Sequence, residues 1–163
     1  MYGLSERESS LLLSDTLSRD PYRFFNIDYY AHQINDARGE YGSIPYITGH
    51  SKSNDGSLLW VNSADTWTDV IDQLDGTYLS NFVSESGHLE FFLFSSQSPK
   101  TQLENLATIT GHAPMPPIEA LGYHFSKYAD VSADIMMQRD SDFESHGFPV
   151  DVYWMDILYS QDY

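Results

Sequence analysis

The 163-residue sequence contains no cysteine. Disulfides, a thiol nucleophile and cysteine-ligated zinc are thereby excluded. The redox compartment is not fixed, because a disulfide-free protein can also fold in an oxidising lumen. Cations are scarce: 8 Lys and Arg stand against 24 Asp and Glu, for a formal charge of −16. So few cannot build a phosphate-tracking face, which argues against nucleic acid and equally against an anionic membrane surface. Long apolar runs are missing too. The longest, Leu11–Leu13 and Phe91–Phe94, fall far short of the roughly 20 residues that span a bilayer, so no membrane insertion is expected. The N-terminal MYGLSERESS has no basic region followed by an apolar one, so no signal peptide is visible there. If the complete protein is secreted, its signal is expected upstream of Met1, or Met1 is artificial. There is no P-loop, G-x-G-x-x-G, H-E-x-x-H, G-x-S-x-G or N-x-Ser/Thr sequon. The histidines at 32, 50, 88, 112, 124 and 146 lack ligand spacing, so neither a metal nor a cofactor is expected.

What is present is a globular composition, 41% apolar and 15% aromatic with 12 tyrosines. Large β-rich cores use many rings, and so do sugar-binding clefts. Residues 1 to 97 read as short strands at Tyr22–Ile27, Ile44–Thr48, Leu58–Val61, Tyr78–Val83 and Leu89–Phe94. Turn signals such as Ser53-Asn54-Asp55-Gly56, Asp75-Gly76 and Glu85-Ser86-Gly87 separate them. This spacing favours an antiparallel sandwich, with Trp60 and Trp67 in its core. Residues 98–117 read as a helical linker: Ser98-Pro99 starts a helix, Leu103, Leu106 and Ala107 follow at helical spacing, and Gly111 stops it. Pro114, Pro116 and Pro117 form a stiff break.

Residues 118–163 then read as a βαβ unit. Ala120–Phe125 is a strand, Asp130–His146 a helix with Val131, Ile135, Met136 and Phe143 on one face, and Val150–Ile157 a second strand. A helical crossover implies parallel strands, and a parallel pair cannot close a sheet alone. The sequence is therefore expected to be an N-terminal fragment, ending after the first βαβ unit of a larger α/β domain.

Asp156 falls at the C-terminal end of the second strand, where barrels of this type build their active sites. A carboxylate there can accept hydrogen bonds from two sugar hydroxyls; it can equally be a helix N-cap or a salt-bridged loop acid. Asp28 sits among rings in Phe24-Phe25-Asn26-Ile27-Asp28-Tyr29-Tyr30, a combination that suits a pyranose but also fits a solvated loop acid. Tyr128 follows the first strand of the unit, against a sugar or packed at the rim.

Several blocks resemble glycoside hydrolase family 31, in order and rough spacing: YGLSERESSLLLSDT, DPYRFFNIDYYAHQIN, YGSIPYITGHS, LLWVNSADTWTDV, SESGHLEFFLF, SPKTQLENLATITG, PMPPIEALGYHFSKY and FPVDVYWMDI. The resemblance covers essentially the whole chain. It implies a galactose-mutarotase-like β-sandwich followed by the opening of a (β/α)8 TIM barrel, truncated here. It also implies a retaining α-glucosidase acting on an oligosaccharide. The branch of the family most like this chain trims N-glycans in the endoplasmic reticulum lumen, with a non-catalytic β subunit as a possible partner. By resemblance, Asp156 binds hydroxyls of the glucose in the −1 subsite and Ile157 lines the same pocket. Asp28 lies on a sandwich loop that reaches over the barrel mouth, Tyr30 shapes the +1 subsite, and Tyr128 takes the ring position after the first barrel strand.

The family's nucleophile lies in a W-x-D-M-N-E block and its acid/base further on; the 163 residues contain neither, so no catalytic residue is assigned and the chain alone is expected to be inactive. The N-glycan-trimming branch usually has Arg-Trp after the first strand, where this chain has Lys127-Tyr128. It usually has Asp-Ile-Glu-His after the second, where this chain has Asp156-Ile157-Leu158-Tyr159. Tyrosine at both places resembles the maltase-like branch and leaves maltose-like oligosaccharides or α-xylosides as alternative substrates. A non-catalytic carbohydrate-binding product and a purely structural sandwich are the remaining readings.

Overall fold

Alternation of apolar and polar side chains sets the strands of the first unit, Met1–His112; the second unit is Ala113–Tyr163. The computed structural model describes residues 1–29, 33–36, 38–61, 66–129 and 132–160. The first unit holds β1 (Tyr2–Gly3), β2 (Tyr22–Arg23), β3 (Tyr46–His50), β4 (Asp55–Val61), β5 (Thr66–Asp72), β6 (Tyr78–Ser84), β7 (Glu90–Ser96) and α1 (Pro99–Thr110). One antiparallel sheet has the order β1-β3-β4-β7 and the other β2-β5-β6. Leu4, Leu13, Tyr22, Ile47 and Val70 form a buried cluster, with Phe24, Leu58 and Phe82 packed against it. Because Ile47 and Leu58 come from one sheet and Tyr22, Val70 and Phe82 from the other, the two sheets face each other as a sandwich. Trp60 on β4 stacks on Phe82 of β6, ring centroids 5.5 Å apart, as its core reading requires.

Three expectations need correction. The strand beginning at Tyr22 is only two residues long, because beyond Arg23 the chain leaves the sheet for an extended arm. Trp67 is half-buried on the parity opposite to Val70: Thr66, Thr68 and Val70 are the buried positions of β5. Helix α1 is not a free linker but packs on β4 and β7 within the first unit. Its start is as expected, with the Ser98 hydroxyl accepting from Thr101 N and Pro99 in the first turn. Its buried residue, however, is Gln102, whereas Leu103 is exposed. The reason lies in the sheet face beneath. Ser57 Oγ donates to Gln102 Oε1 at 2.6 Å, and Gln102 Nε2 donates to the Asp55 carbonyl at 2.8 Å. Buried polar groups on β4 call for an amide, not an alkyl chain.

The second unit contains a 3₁₀ turn (Ile118–Leu121), β8 (His124–Ser126), α2 (Ala133–Ser145), β9 (Val152–Trp154) and a further 3₁₀ turn (Ile157–Tyr159). The strands are parallel, in register His124↔Val152, Phe125↔Tyr153 and Ser126↔Trp154. This is the expected βαβ unit, with both strands shorter than their apolar runs suggest. The Ser132 hydroxyl caps α2 by accepting from Ile135 N, and Gly147 follows at φ 72°. Asp130 and Val131, expected at the helix start, lie outside the described residues. Phe143 of α2 packs on Phe125 and Tyr153, ring centroids 4.9 and 6.3 Å away.

Candidate functional site

The parallel ladder ends at Ser126 and Trp154, and Tyr128 and Asp156 each stand two residues beyond it. Both therefore lie at the C-terminal ends of their strands. Asp156 is half-buried and caps the last 3₁₀ turn: its Oδ1 accepts from Ile157 N at 2.7 Å. The cap uses one oxygen; Oδ2 has no protein partner among the described residues and remains an acceptor for an incoming hydroxyl. The N-cap and sugar-acceptor readings of Asp156 are thus compatible. Ile157, next in the chain, and Tyr128 are exposed, 57% and 58%.

Asp28 lies in the first unit, on an arm that leaves β2 and returns toward β3. The two limbs are cross-linked. Ile27 N donates to the Glu40 carbonyl at 3.0 Å, and Asn26 Nδ2 donates to the Tyr41 carbonyl at 2.6 Å. The Tyr41 hydroxyl donates to Asp28 Oδ1 at 2.5 Å. That hydrogen bond, with the negative charge behind it, raises the Tyr41 phenol above its ordinary range. Glu6 secures the returning limb: its carboxylate accepts from Gly42 N at 2.7 Å and its carbonyl accepts from Glu40 N at 3.0 Å. Near the arm, Arg38 pairs with Asp36 and lies over the Tyr29 ring, 4.1 Å from its centroid. Tyr30 lies outside the described residues.

Two residues of interest have no sequence signal. Tyr41 reaches Asp28 across 13 residues of chain. His124, on β8, accepts a hydrogen bond from the Trp154 indole, 30 residues away. Among the described residues no group of His, Asp and Glu is arranged to hold a metal ion, and no helix is long and apolar enough to cross a membrane.

A family profile described as the glycosyl hydrolase 31 N-terminal galactose mutarotase-like domain matches residues 1–69. Another, the glycosyl hydrolases family 31 TIM-barrel domain, matches residues 113–163. The chain belongs to glycoside hydrolase family 31. The sandwich is the family's galactose-mutarotase-like domain, and the βαβ unit is the start of its TIM-barrel domain, with no closed barrel. Neutral alpha-glucosidase AB of Mus musculus is 31% identical over 175 residues, matching 96% of this family 31 chain and 18% of its own length. Glucosidase 2 subunit alpha of Saccharomyces cerevisiae is 32% identical over 164 residues, matching 99% of this chain and 17% of its own length. A crystal structure of an ER glucosidase II heterodimer, composed of the catalytic subunit and the binding domain of the regulatory subunit, superposes with a TM-score of 0.85. It is 29% identical and covers 99% of this chain and 19% of that chain. The chain thus spans less than a fifth of the length of these two curated relatives.

Proposed function

We propose that this chain supplies part of the glucose-binding site of an α-glucosidase of the glucosidase II type, which removes terminal α-linked glucose from N-glycans. The observation that carries the reading is Asp156: a carboxylate at the C-terminal end of a parallel strand, with one oxygen committed to its own turn and the other open. An ionised carboxylate accepts from sugar hydroxyls with angular selectivity that a neutral group lacks. In this reading Asp156 takes hydroxyls of the terminal glucose, and Ile157 and Tyr128 present apolar surface to the ring. Asp28, held by Tyr41, is a further acceptor for substrate hydroxyls, and Tyr30 a further substrate-binding ring. The compartment is the endoplasmic reticulum lumen, and a regulatory β subunit is the partner, as the names of the similar proteins support.

Retaining hydrolysis needs a nucleophile and an acid/base roughly 5–5.5 Å apart, the acid kept protonated by a raised pKa. Neither role falls to Asp28 or Asp156, which act as hydrogen-bond acceptors. The 163 residues contain no W-x-D-M-N-E block, so the isolated chain binds glucosides without cleaving them. The test is turnover of p-nitrophenyl α-glucoside by the isolated chain, beside binding of methyl α-D-glucoside. Binding that Asp156→Ala abolishes, without turnover, is expected; turnover that survives Asp156→Ala overturns the reading.

A second reading shifts the substrate to maltose-like oligosaccharides or α-xylosides. Lys127-Tyr128 and Leu158-Tyr159, in place of the bulkier or charged residues usual in the N-glycan branch, favour it. Competition between a monoglucosylated high-mannose glycan, maltose and an α-xyloside separates the two: tighter binding of maltose or xyloside supports the second.

A further inference from the structure

Strand alternation divides the β8–β9 side chains between two faces. Phe125 and Tyr153 turn to α2, where they meet Phe143. His124, Ser126 and Trp154 share the opposite face, and there the structure makes a polar pairing between rings. The Trp154 indole Nε1–H donates to His124 Nδ1 at 2.8 Å, with ring centroids 5.8 Å apart. The other nitrogen, His124 Nε2, lies 3.2 Å from the Glu119 carbonyl in the 3₁₀ turn Ile118–Leu121. An indole only donates, and a carbonyl only accepts. Nδ1 must therefore carry the lone pair and Nε2 the proton; no other form of the ring satisfies both neighbours.

Trp154 is the last paired residue of β9, and it is more than half exposed. Little packing holds its ring, so the hydrogen bond to His124 decides where the indole lies. Asp156 follows two residues later, outside the ladder, and its direction depends on how the strand end is held. We propose that His124 is a positioning residue for the sugar site. As the Nε2–H tautomer it ties the 3₁₀ turn before β8 to the end of β9, and so fixes the direction in which Asp156 presents its open oxygen. This rests on the reading of Asp156 as a glucose acceptor.

The experiment uses the whole 163-residue chain, ¹⁵N-labelled. In the unmodified protein, long-range proton–nitrogen spectra should show His124 Nδ1 without a proton and Nε2 with one, and a downfield Trp154 indole N–H. A proton on Nδ1 overturns the proposal before any variant is made. His124→Phe keeps a ring but removes both hydrogen bonds; Trp154→Phe removes the same bond from the other end. Each should raise amide exchange at Ile157, the donor to Asp156 Oδ1, roughly five- to tenfold, the size expected for one lost hydrogen bond. The double variant should add nothing further, because the two residues act as one unit. Unchanged exchange at Ile157 in both single variants, or additive effects in the double, overturns the proposal. Methyl α-D-glucoside titration then separates this idea from the site reading. If Asp156→Ala leaves sugar binding intact, the site reading fails. If Asp156→Ala abolishes binding while both ring variants bind normally, the site stands and the positioning role fails.

Discussion

Asp28 and Tyr41 illustrate how a single hydrogen bond both organises a loop and leaves a measurable trace. The bond to the carboxylate favours the neutral phenol, so the Tyr41 pKa in the folded arm lies above its unfolded value. A raised value means the stabilisation is fully present below the ordinary phenol range near ~10 and is lost as pH rises through the folded value. Tyr78 and Tyr153 are raised as well, by the Asp72 charge and by desolvation respectively, so ultraviolet titration should show a late-ionising group of tyrosines, and Asp28→Asn should return Tyr41 from it toward the others. Gly122 offers a steric counterpart. A Cβ there would lie 2.2 Å from Asp151 Oδ2 and 2.7 Å from Asp151 Cβ. Asp151 would have to swing away and release Tyr123 N, which now donates to its Oδ2 at 2.8 Å. Gly122→Ala should loosen the second unit by about 1 kcal/mol, the scale of one exposed hydrogen bond to a charge; loss of protection at the Tyr123 amide is the readout. At this scale Asp156 was legible because its place after an apolar run carries meaning by itself. Tyr41 and His124 were not, since each acquires its role from a partner brought near only by folding.

Among the elements, α1 shows what periodicity leaves open. Ser98-Pro99 and Gly111 mark its ends correctly, because caps are local chemistry. The leucine spacing identifies a helix without saying which face meets the sheet; the sheet beneath offers Ser57 and the Asp55 carbonyl, and the helix answers with Gln102. The chain continues through Ser57 to Tyr46, whose hydroxyl donates to Ser57 Oγ at 2.9 Å. Gln102→Leu conserves volume but strands buried partners on β4, so it should destabilise the first unit by about 2 kcal/mol, visible as a lower urea midpoint. An increase in stability would mean the network is dispensable. The short strands β8 and β9 were expected longer for a similar reason: apolar residues continue past the ladder, but a 3₁₀ turn takes up Ile118–Leu121 and Asp156 caps another.

At the scale of the whole molecule, the two units differ in how they are held. The first has a cluster of buried side chains around Val70 and Tyr22. In the second, no described residue from 113 to 160 is buried; its cohesion is a group of partly covered rings around Phe143. Local stability follows buried apolar contact, so native-state hydrogen exchange should be slow in β3, β4, β5 and β6 and fast in β8 and β9. Equal protection in both units would contradict this. Among the described residues each strand of the parallel pair is hydrogen-bonded on one side alone, which favours association between chains as concentration rises. The sandwich-then-βαβ order was legible in the sequence because hydrophobic period changes from two to three and a half near Ser98. Which face of each strand looks inward on β5 was not, since threonines rather than Trp67 occupy it.

The register of β8 and β9 stops at Ser126 and Trp154, and every second-unit residue proposed to meet glucose comes after that point. Descent with modification can thus alter one contact at a time without disturbing the paired backbone that supports it.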